Sequence, residues 1–245
     1  GVILLLNCLV NNYSDIKRKL KILYITLLVF FSVFILMLYS KAGIISLFII
    51  YLSFGIYIAV KVKKIKYFLY SIVSALLLGL VLFIFIPNTN TRLNTIIDGL
   101  SAQELDPSST ESTQLRIFVW KAANELITSN PILGYGLGDA DDVLIHKYEE
   151  KGYWGAFEKK LNAHNQFYQS IISVGYIGVI PFLLFFAIYF INGIMSRSLL
   201  KILFVVLSLF VFLFESYLQT QAGVFFIAIF SVLFFIMPNK TDHSL

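Results

Sequence analysis

Long apolar runs constrain the fold of this chain more than any other feature. A helix needs about 20 mostly apolar residues to cross the roughly 30 Å hydrocarbon core of a bilayer. Runs of this kind lie near 22–39, 43–60, 67–86, 167–192, 201–218 and 222–237. The last two are at the short end of the range, but no soluble domain surrounds them, so they are also interpreted as spans. The sequence therefore predicts an all-α polytopic membrane protein with six full transmembrane helices.

Composition supports the same class. Hydrophobic residues make up 58% of the chain and charged residues 13%, against about 45–50% and about 25% in soluble domains. Residues 1–10 are apolar but too short to span, and they begin at Gly1 without a signal-peptide pattern. We interpret them as the remnant of a span and expect further helices upstream. Cys8 is the single cysteine, so this chain has neither a disulfide framework nor a thiolate metal site.

Basic residues in the short loops predict the orientation of the spans. Threading six spans brings the clusters at 17–21, 61–66 and 197–201, and Lys240, to one side, which the positive-inside rule makes cytoplasmic. The net charge of +5 therefore reports membrane orientation and gives no support to nucleic-acid binding. The short turn near Lys41, the turn at 219–221 and the long segment 87–165 lie on the opposite side.

The segment 87–165 is predicted to be one large extramembrane loop that contains short helices. It holds eleven of the fourteen acidic residues. Residues 113–129 have a helical pattern with an apolar face at Leu115, Phe118, Val119, Ala122 and Leu126, and Ser112 or Thr113 is expected to cap this helix. A second short helix is predicted at 141–151. The chain thus divides into transmembrane helices at 1–86, a loop domain at 87–165, and three C-terminal helices with a short tail at 166–245.

Two motifs in this loop do not meet the requirements of the sites they resemble. Gly134, Gly136 and Gly138 lack the spacing of a dinucleotide-binding loop, and a calcium loop starting at Asp139 lacks its required glycine. Asp141 and Asp142 could hold a divalent metal, but the favoured reading is a charged first turn of a helix. No metal site is predicted.

Four features indicate chemistry at the face that carries the loop. Arg116 interrupts an apolar helix surface that includes Trp120, and either snorkels to the interface or binds a phosphate group. His164, followed by Asn165, lies where the loop meets the membrane. Lys41 opposes the positive-inside trend, and Glu215 is an ionisable residue expected inside the fifth span, where such residues are functional or paired.

The order of these motifs resembles the O-antigen ligase family, which also includes polymerases of lipid-linked oligosaccharides. The resemblance is carried by LRIFVWKAANELITSNPILGYGLGD, LNAHNQFYQSIISVGYIGVIPF and FESYLQTQAGVFF. It implies a bundle of about twelve helices in the bacterial inner membrane, with a large periplasmic loop before the last three helices. It also implies transfer of a glycan from undecaprenyl diphosphate to a lipid-anchored acceptor sugar, with no nucleotide sugar, metal or other cofactor.

The resemblance also implies roles for individual residues. Arg116 matches an arginine expected to bind the diphosphate, and His164 matches a histidine expected to act at the acceptor hydroxyl. Lys41 stands where many members have arginine. Glu215 and Gln221 fall in an ExxLxxQxG pattern of unassigned role. Direct displacement would invert the anomeric centre. The expected site comprises catalytic His164 and Arg116, and substrate-binding Lys41, Trp120, Asn165, Glu215 and Gln221.

Two other activities remain compatible with the sequence. The donor and its contacts would serve a repeat-unit polymerase as well as a ligase, although the LNAHNQ and QAG segments favour a ligase. A polysaccharide transporter would need ionisable groups near the bilayer midplane, whereas the spans here are almost free of charge. A purely structural scaffold would leave Arg116, His164 and Glu215 without a role.

Overall fold

The computed structural model describes residues 1–12, 15–38, 40–63, 66, 69, 72–73, 106–109 and 111–236. Within these residues every regular element is helical, which confirms the predicted all-α class. The α-helices are α1 (Val2–Asn11), α2 (Arg18–Met37), α3 (Lys41–Val62), α4 (Ser112–Ser129), α5 (Ala140–Lys151), α6 (Trp154–Glu158), α7 (Gln166–Met195), α8 (Leu199–Phe212) and α9 (Gln221–Ser231). A 3-10 turn occupies Tyr217–Gln219, and α9 continues into a π-helical turn at Val232–Ile236.

Three of these helices are long and apolar enough to cross a membrane: α2, α3 and α7. The predicted third span, 67–86, lies outside the described residues except for 69 and 72–73. Helix α8 has 14 residues, whereas the sequence predicted a fifth span at 201–218. Helix α9 has 11 residues before its π-helical turn. The six-span count therefore stays a prediction.

Helix α8 ends at Phe212, so Glu215 lies beyond the helix of the predicted fifth span. The chain tightens after the helix, since the amides of Leu213 and Phe214 bond to carbonyls three residues earlier. Tightening of this kind is a common way to end a helix. Glu215 follows in a non-helical connection.

The first compact unit consists of Gly1–Pro87 and Asn192–Leu207. Helix α1 packs against α2 and α3. The Ser32 hydroxyl of α2 and the Tyr51 hydroxyl of α3 are hydrogen-bonded at 2.8 Å. Most apolar side chains of α2 are exposed or only half-buried. Such a surface is suited to lipid, because apolar side chains gain nothing from exposure to water.

The second compact unit consists of Asn88–Ile191 and Ser208–Leu245. Its core forms where α4, α5 and α6 pack together. The predicted apolar face of α4 is confirmed, because Leu115, Phe118, Val119, Ala122 and Leu126 are all buried. The Glu111 carboxylate accepts the backbone N–H of Gln114 at 2.8 Å and so pairs one of the free amides at the start of α4. Capping by Ser112 or Thr113 stays a prediction.

Helix α7 is sharply broken at Gly175, where φ is 63° and ψ is −176°. The rings of Phe167 and Phe182 lie 6.1 Å apart across this break. In a straight helix their positions would be separated by about 22 Å. The arm 166–174 therefore folds back towards the part of the helix that follows the break. Residues 176–195 alone are about 30 Å long, which is the thickness of the hydrocarbon core.

The loop after α4 forms backbone hydrogen bonds with residues on both sides of this break. The Tyr135 and Gly136 amides donate to the carbonyls of Ile172 and Ser173, and the Tyr176 amide donates to Pro131, each at 2.8 Å. The contact requires glycine twice. Gly134 has φ +67°, and a Cβ there would lie 2.6 Å from the Ile172 carbonyl oxygen. Gly175 has φ +63°, and a Cβ there would overlap the Ile132 carbonyl. Hydrogen bonds and two close glycine contacts thus join the loop to the broken helix.

Candidate functional site

Three side chains from distant parts of the second unit meet at one point. The Arg116 guanidinium of α4 donates from Nη2 to Oε1 of Glu215 at 3.0 Å. The other carboxylate oxygen, Oε2, lies 3.2 Å from Nδ1 of His164. Arg116 and Glu215 are 99 positions apart in the chain, and His164 and Glu215 are 51 apart. Glu215 therefore bridges the two residues that the sequence analysis predicted to be catalytic.

This cluster is open to solvent. The exposed fractions of the side chains are 26% for Arg116, 28% for His164 and 48% for Glu215. An ion pair this exposed contributes little to stability. The hydrogen bond from His164, followed by the charges of His164 and Arg116, holds the pKa of Glu215 below its usual range, although partial burial opposes this. Glu215 is thus an ionised, accessible carboxylate.

The backbone beside His164 is held from several sides. His164 has a left-handed conformation, with φ +44°. Its own N–H donates to the Asn162 side-chain oxygen at 3.0 Å. The preceding Ala163 donates its N–H to Oε1 of Gln169, and its carbonyl accepts from the Trp120 indole N–H, both at 3.0 Å. Trp120, predicted to bind substrate, uses its only polar atom to fix the peptide before His164.

Asn165 connects the histidine to the rest of the site. Its side-chain oxygen accepts the N–H groups of Phe167 and Tyr168, at 2.9 and 3.1 Å, and so caps the start of α7. Its side-chain amide donates to the Leu213 carbonyl at 3.2 Å. The Asn165 side chain therefore links the start of α7 to the segment that carries Glu215.

Three glutamines that sequence reasoning missed complete this framework. Gln166 accepts the Leu218 N–H at 2.7 Å. Gln169 and Gln219 both donate to Asp141 Oδ1, at 2.7 and 3.1 Å. The available signal was the spacing of Gln166 and Gln169, three residues apart at the start of an apolar helix, because buried glutamines there need partners. Both are buried in the structure.

Asp141 lies at the start of α5, as the favoured interpretation of the acidic pair predicted. Asp141 and Asp142 lie in the first turn of this helix. The Asp141 carboxylate also accepts the two glutamine amides, a role not foreseen from the sequence. Among the residues that the structure describes, no group of three or more histidine, cysteine, aspartate or glutamate side chains could hold a metal ion.

Two predicted site residues are not part of this cluster. Lys41 is the exposed first residue of α3 and belongs to the first unit. Gln221 is the exposed first residue of α9, in the second unit. Their predicted roles in substrate binding stay predictions.

The cluster combines two chemical capacities. A guanidinium presents a planar set of donors that matches phosphate oxygens. An imidazole takes up and releases protons near neutral pH. Together with helices long enough to span a bilayer, this site defines a membrane protein with partly exposed groups suited to anion binding and proton transfer.

Comparison with known proteins gives the family. The O-antigen ligase family model matches residues 26–183, which is more than half of the chain. The chain belongs to the O-antigen ligase family, and the resemblance inferred from its motifs is confirmed. Neither the curated proteins nor the solved structures include a significant match. The family is one of ligase- or polymerase-type membrane glycosyltransferases that act on lipid-linked glycans. Arg116 and His164 lie within the matched residues, and Glu215 lies beyond them.

Proposed function

We propose that the protein transfers a glycan from undecaprenyl diphosphate to a lipid-anchored acceptor sugar, as an O-antigen ligase. The observation that carries this proposal is the meeting of Arg116 and His164 at Glu215. Three separate segments contribute to that cluster, and all three side chains are accessible. A glycosyl transfer from a diphosphate needs a fixed positive charge and a base, and the cluster contains one of each.

Arg116 stabilises the leaving group in the proposed reaction. The bond between the anomeric carbon and the diphosphate oxygen breaks, so negative charge develops on that oxygen. A guanidinium held beside it stabilises the transition state more than the ground state. The forked donors of arginine also fix the orientation of the diphosphate, which a lysine ammonium cannot do.

His164 acts as the general base. The acceptor hydroxyl attacks the anomeric carbon as its proton passes to the imidazole, and undecaprenyl diphosphate leaves from the opposite face. A single displacement of this kind inverts the anomeric centre. A sugar hydroxyl is a poor nucleophile at neutral pH, and a general base contributes typically about 10²–10⁴-fold to the rate.

The proposed setting is the outer face of a bacterial inner membrane. The basic clusters in the short loops support a cytoplasmic location for those loops, and hence a periplasmic location for 87–165. Membrane-embedded segments at 1–86 and 166–245 would then flank a catalytic loop. Lys41 and Gln221 are on the same face in this topology, which keeps them as proposed substrate contacts.

Purified full-length protein tests the base and the anion-binding group separately. His164→Ala should lower kcat by about 10²–10⁴-fold and leave expression and membrane insertion unchanged. His146→Ala is the matched control, because His146 is an exposed histidine of α5 outside the cluster. Arg116→Lys should lose much of the activity and Arg116→Ala nearly all. Near-normal transfer by the His164 variant would refute the base assignment, and unchanged donor binding by Arg116→Ala would refute the diphosphate contact.

Deletion of the gene separates a ligase from a polymerase. The two activities share the donor and differ only in the acceptor. Loss of a ligase should leave long glycans on the lipid carrier and bare lipid-anchored cores. Cores that carry a single repeat in the deletion strain would show a polymerase instead, and would leave the proposed roles of Arg116 and His164 intact.

A further inference from the structure

Glu215 contacts two other side chains of the cluster, which a residue that only binds substrate would not require. Each of its carboxylate oxygens is engaged by the protein, one by Arg116 and the other by His164. The sequence predicts that Glu215 binds substrate, and its contacts also connect it to the two groups that perform the proposed chemistry.

We propose that Glu215 is a positioning residue that orients His164 for base catalysis and competes with the donor diphosphate for Arg116. This inference rests on the proposed function. It goes further by coupling the two halves of the reaction, because one carboxylate is shared between the anion-binding group and the base.

The hydrogen-bond chemistry of Glu215 fixes the state of the histidine ring. An ionised carboxylate only accepts hydrogen bonds, so the Nδ1 atom of His164 that faces it must carry a proton. In the neutral ring Nε2 is then the acceptor nitrogen. The acceptor hydroxyl passes its proton to Nε2, and the imidazolium that results is stabilised by the adjacent Glu215 charge.

Arg116 is paired with the Glu215 carboxylate at 3.0 Å. A diphosphate that approaches the guanidinium brings negative charge next to Glu215, so the two anions compete and repel. Glu215 therefore weakens donor binding. Once the diphosphate has bound to Arg116, the Glu215 carboxylate keeps its hydrogen bond with His164 and supports proton transfer to the imidazole.

If Glu215 served only to hold the fold together, its replacement would unfold the segment that carries it. The segment that carries Glu215 is held by three other side-chain contacts: Asn165 to Leu213, Gln166 to Leu218 and Gln219 to Asp141. None of them involves Glu215. Removal of its charge should therefore leave the segment folded, and the effects should appear in binding and rate.

Glu215→Gln tests the proposal, because the two parameters should change in opposite directions. Full-length protein in nanodiscs would be assayed with an undecaprenyl-diphosphate-linked glycan donor, and binding would be measured with undecaprenyl diphosphate alone. We expect kcat to fall about 10- to 100-fold, within the total contribution of a general base. The Kd for undecaprenyl diphosphate should fall about two- to fivefold, because a charge beside the anion is removed.

Glu150→Gln is the matched control. Glu150 is 53% exposed and pairs with Lys147 at 3.0 Å, so it resembles Glu215 in exposure and in having a cationic partner. It lies on α5, outside the cluster. This variant should have the wild-type kcat and Kd. If it reproduced the changes of Glu215→Gln, a general loss of surface charge would explain both variants and the proposal would fail.

A double variant shows whether Glu215 acts through the histidine. In a His164→Ala background, Glu215→Gln should cause no further fall in kcat and should still tighten undecaprenyl diphosphate binding. Additive losses of kcat, unchanged parameters in the single variant, or failure of that variant to fold would each overturn the proposal. If the wild-type protein transferred no glycan at all, the proposed function would fail with it, whereas wild-type transfer with an inert Glu215→Gln would refute this inference alone.

Discussion

Replacing Gly175 with alanine should break the contact between the α4–α5 loop and helix α7. Gly175 has φ +63°, and an added Cβ would overlap the Ile132 carbonyl. With ψ at −176°, this backbone conformation is almost restricted to glycine and costs another residue about 1–3 kcal/mol. Relief of the overlap requires the loop to move away.

Movement of the loop would cost the hydrogen bonds that hold it in the break. The donors are the backbone N–H groups of Tyr135, Gly136 and Tyr176, each at 2.8 Å from its acceptor. Each such bond contributes about 0.5–1.5 kcal/mol. With the backbone term, Gly175→Ala should destabilise the second unit by about 2.5–7.5 kcal/mol, and Tm should fall by about 5–30 °C.

The assay is thermal unfolding of the purified full-length protein, followed by tryptophan fluorescence, with Gly138→Ala as the control. A Cβ at Gly138 would meet nothing within 4 Å, so this variant should melt with the wild type. Glycan transfer by Gly175→Ala should also fall, because the arm 166–174 contains Gln166 and Gln169, which hold the segments that carry His164 and Glu215. A Gly175→Ala protein that melts with the wild type would refute the reasoning about the break.

Three further outcomes are expected. Gln169→Leu leaves the buried Ala163 N–H without its acceptor, so it should destabilise the protein by about 1–3 kcal/mol and lower kcat, as measured by melting and transfer assays. Because the pKa of Glu215 is depressed in the folded protein, its contribution to stability is present above the ordinary carboxyl pKa of about 4.3 and is lost as the pH falls through the lower folded value. The Tm difference between wild type and Glu215→Gln should thus shrink as the pH falls below about 4. We expect that EDTA does not inhibit glycan transfer. Inhibition by EDTA that magnesium reverses would instead indicate a metal site at Asp141.

The parts of the fold that the sequence predicted are those set by local periodicity. The buried face of α4 follows from apolar residues at helical spacing, and α2 and α3 follow from apolar runs of about the length that a bilayer requires. The sequence also identified Arg116 as a candidate site residue, because a charged residue on an otherwise apolar helix face is unusual. Each of these signals is contained within about twenty neighbouring residues.

The break in α7 could not be predicted in this way. The stretch SVGYIG reads as ordinary apolar helix, and glycine is frequent in membrane helices. What makes Gly175 necessary is the carbonyl of Ile132, some forty positions earlier in the chain. The end of α8 is similar. Leu213–Leu218 is apolar enough to continue a span, but Glu215 is paired with Arg116 and His164 outside the helix. Contacts of this separation leave no periodic trace in a single sequence.

The same limit explains why the framework around His164 was missed although His164 itself was found. A left-handed backbone is unfavourable for histidine and persists only where the surroundings fix it. Here Asn162, Trp120 and Gln169 hold the two peptides that precede the strained residue, and Gln169 is in turn held by Asp141. A residue fixed so firmly beside an accessible carboxylate is positioned before any substrate arrives. Preorganisation of this kind lowers the cost of reaching the transition state, so the side chains that fix the His164 backbone should matter to kcat nearly as much as the imidazole they hold.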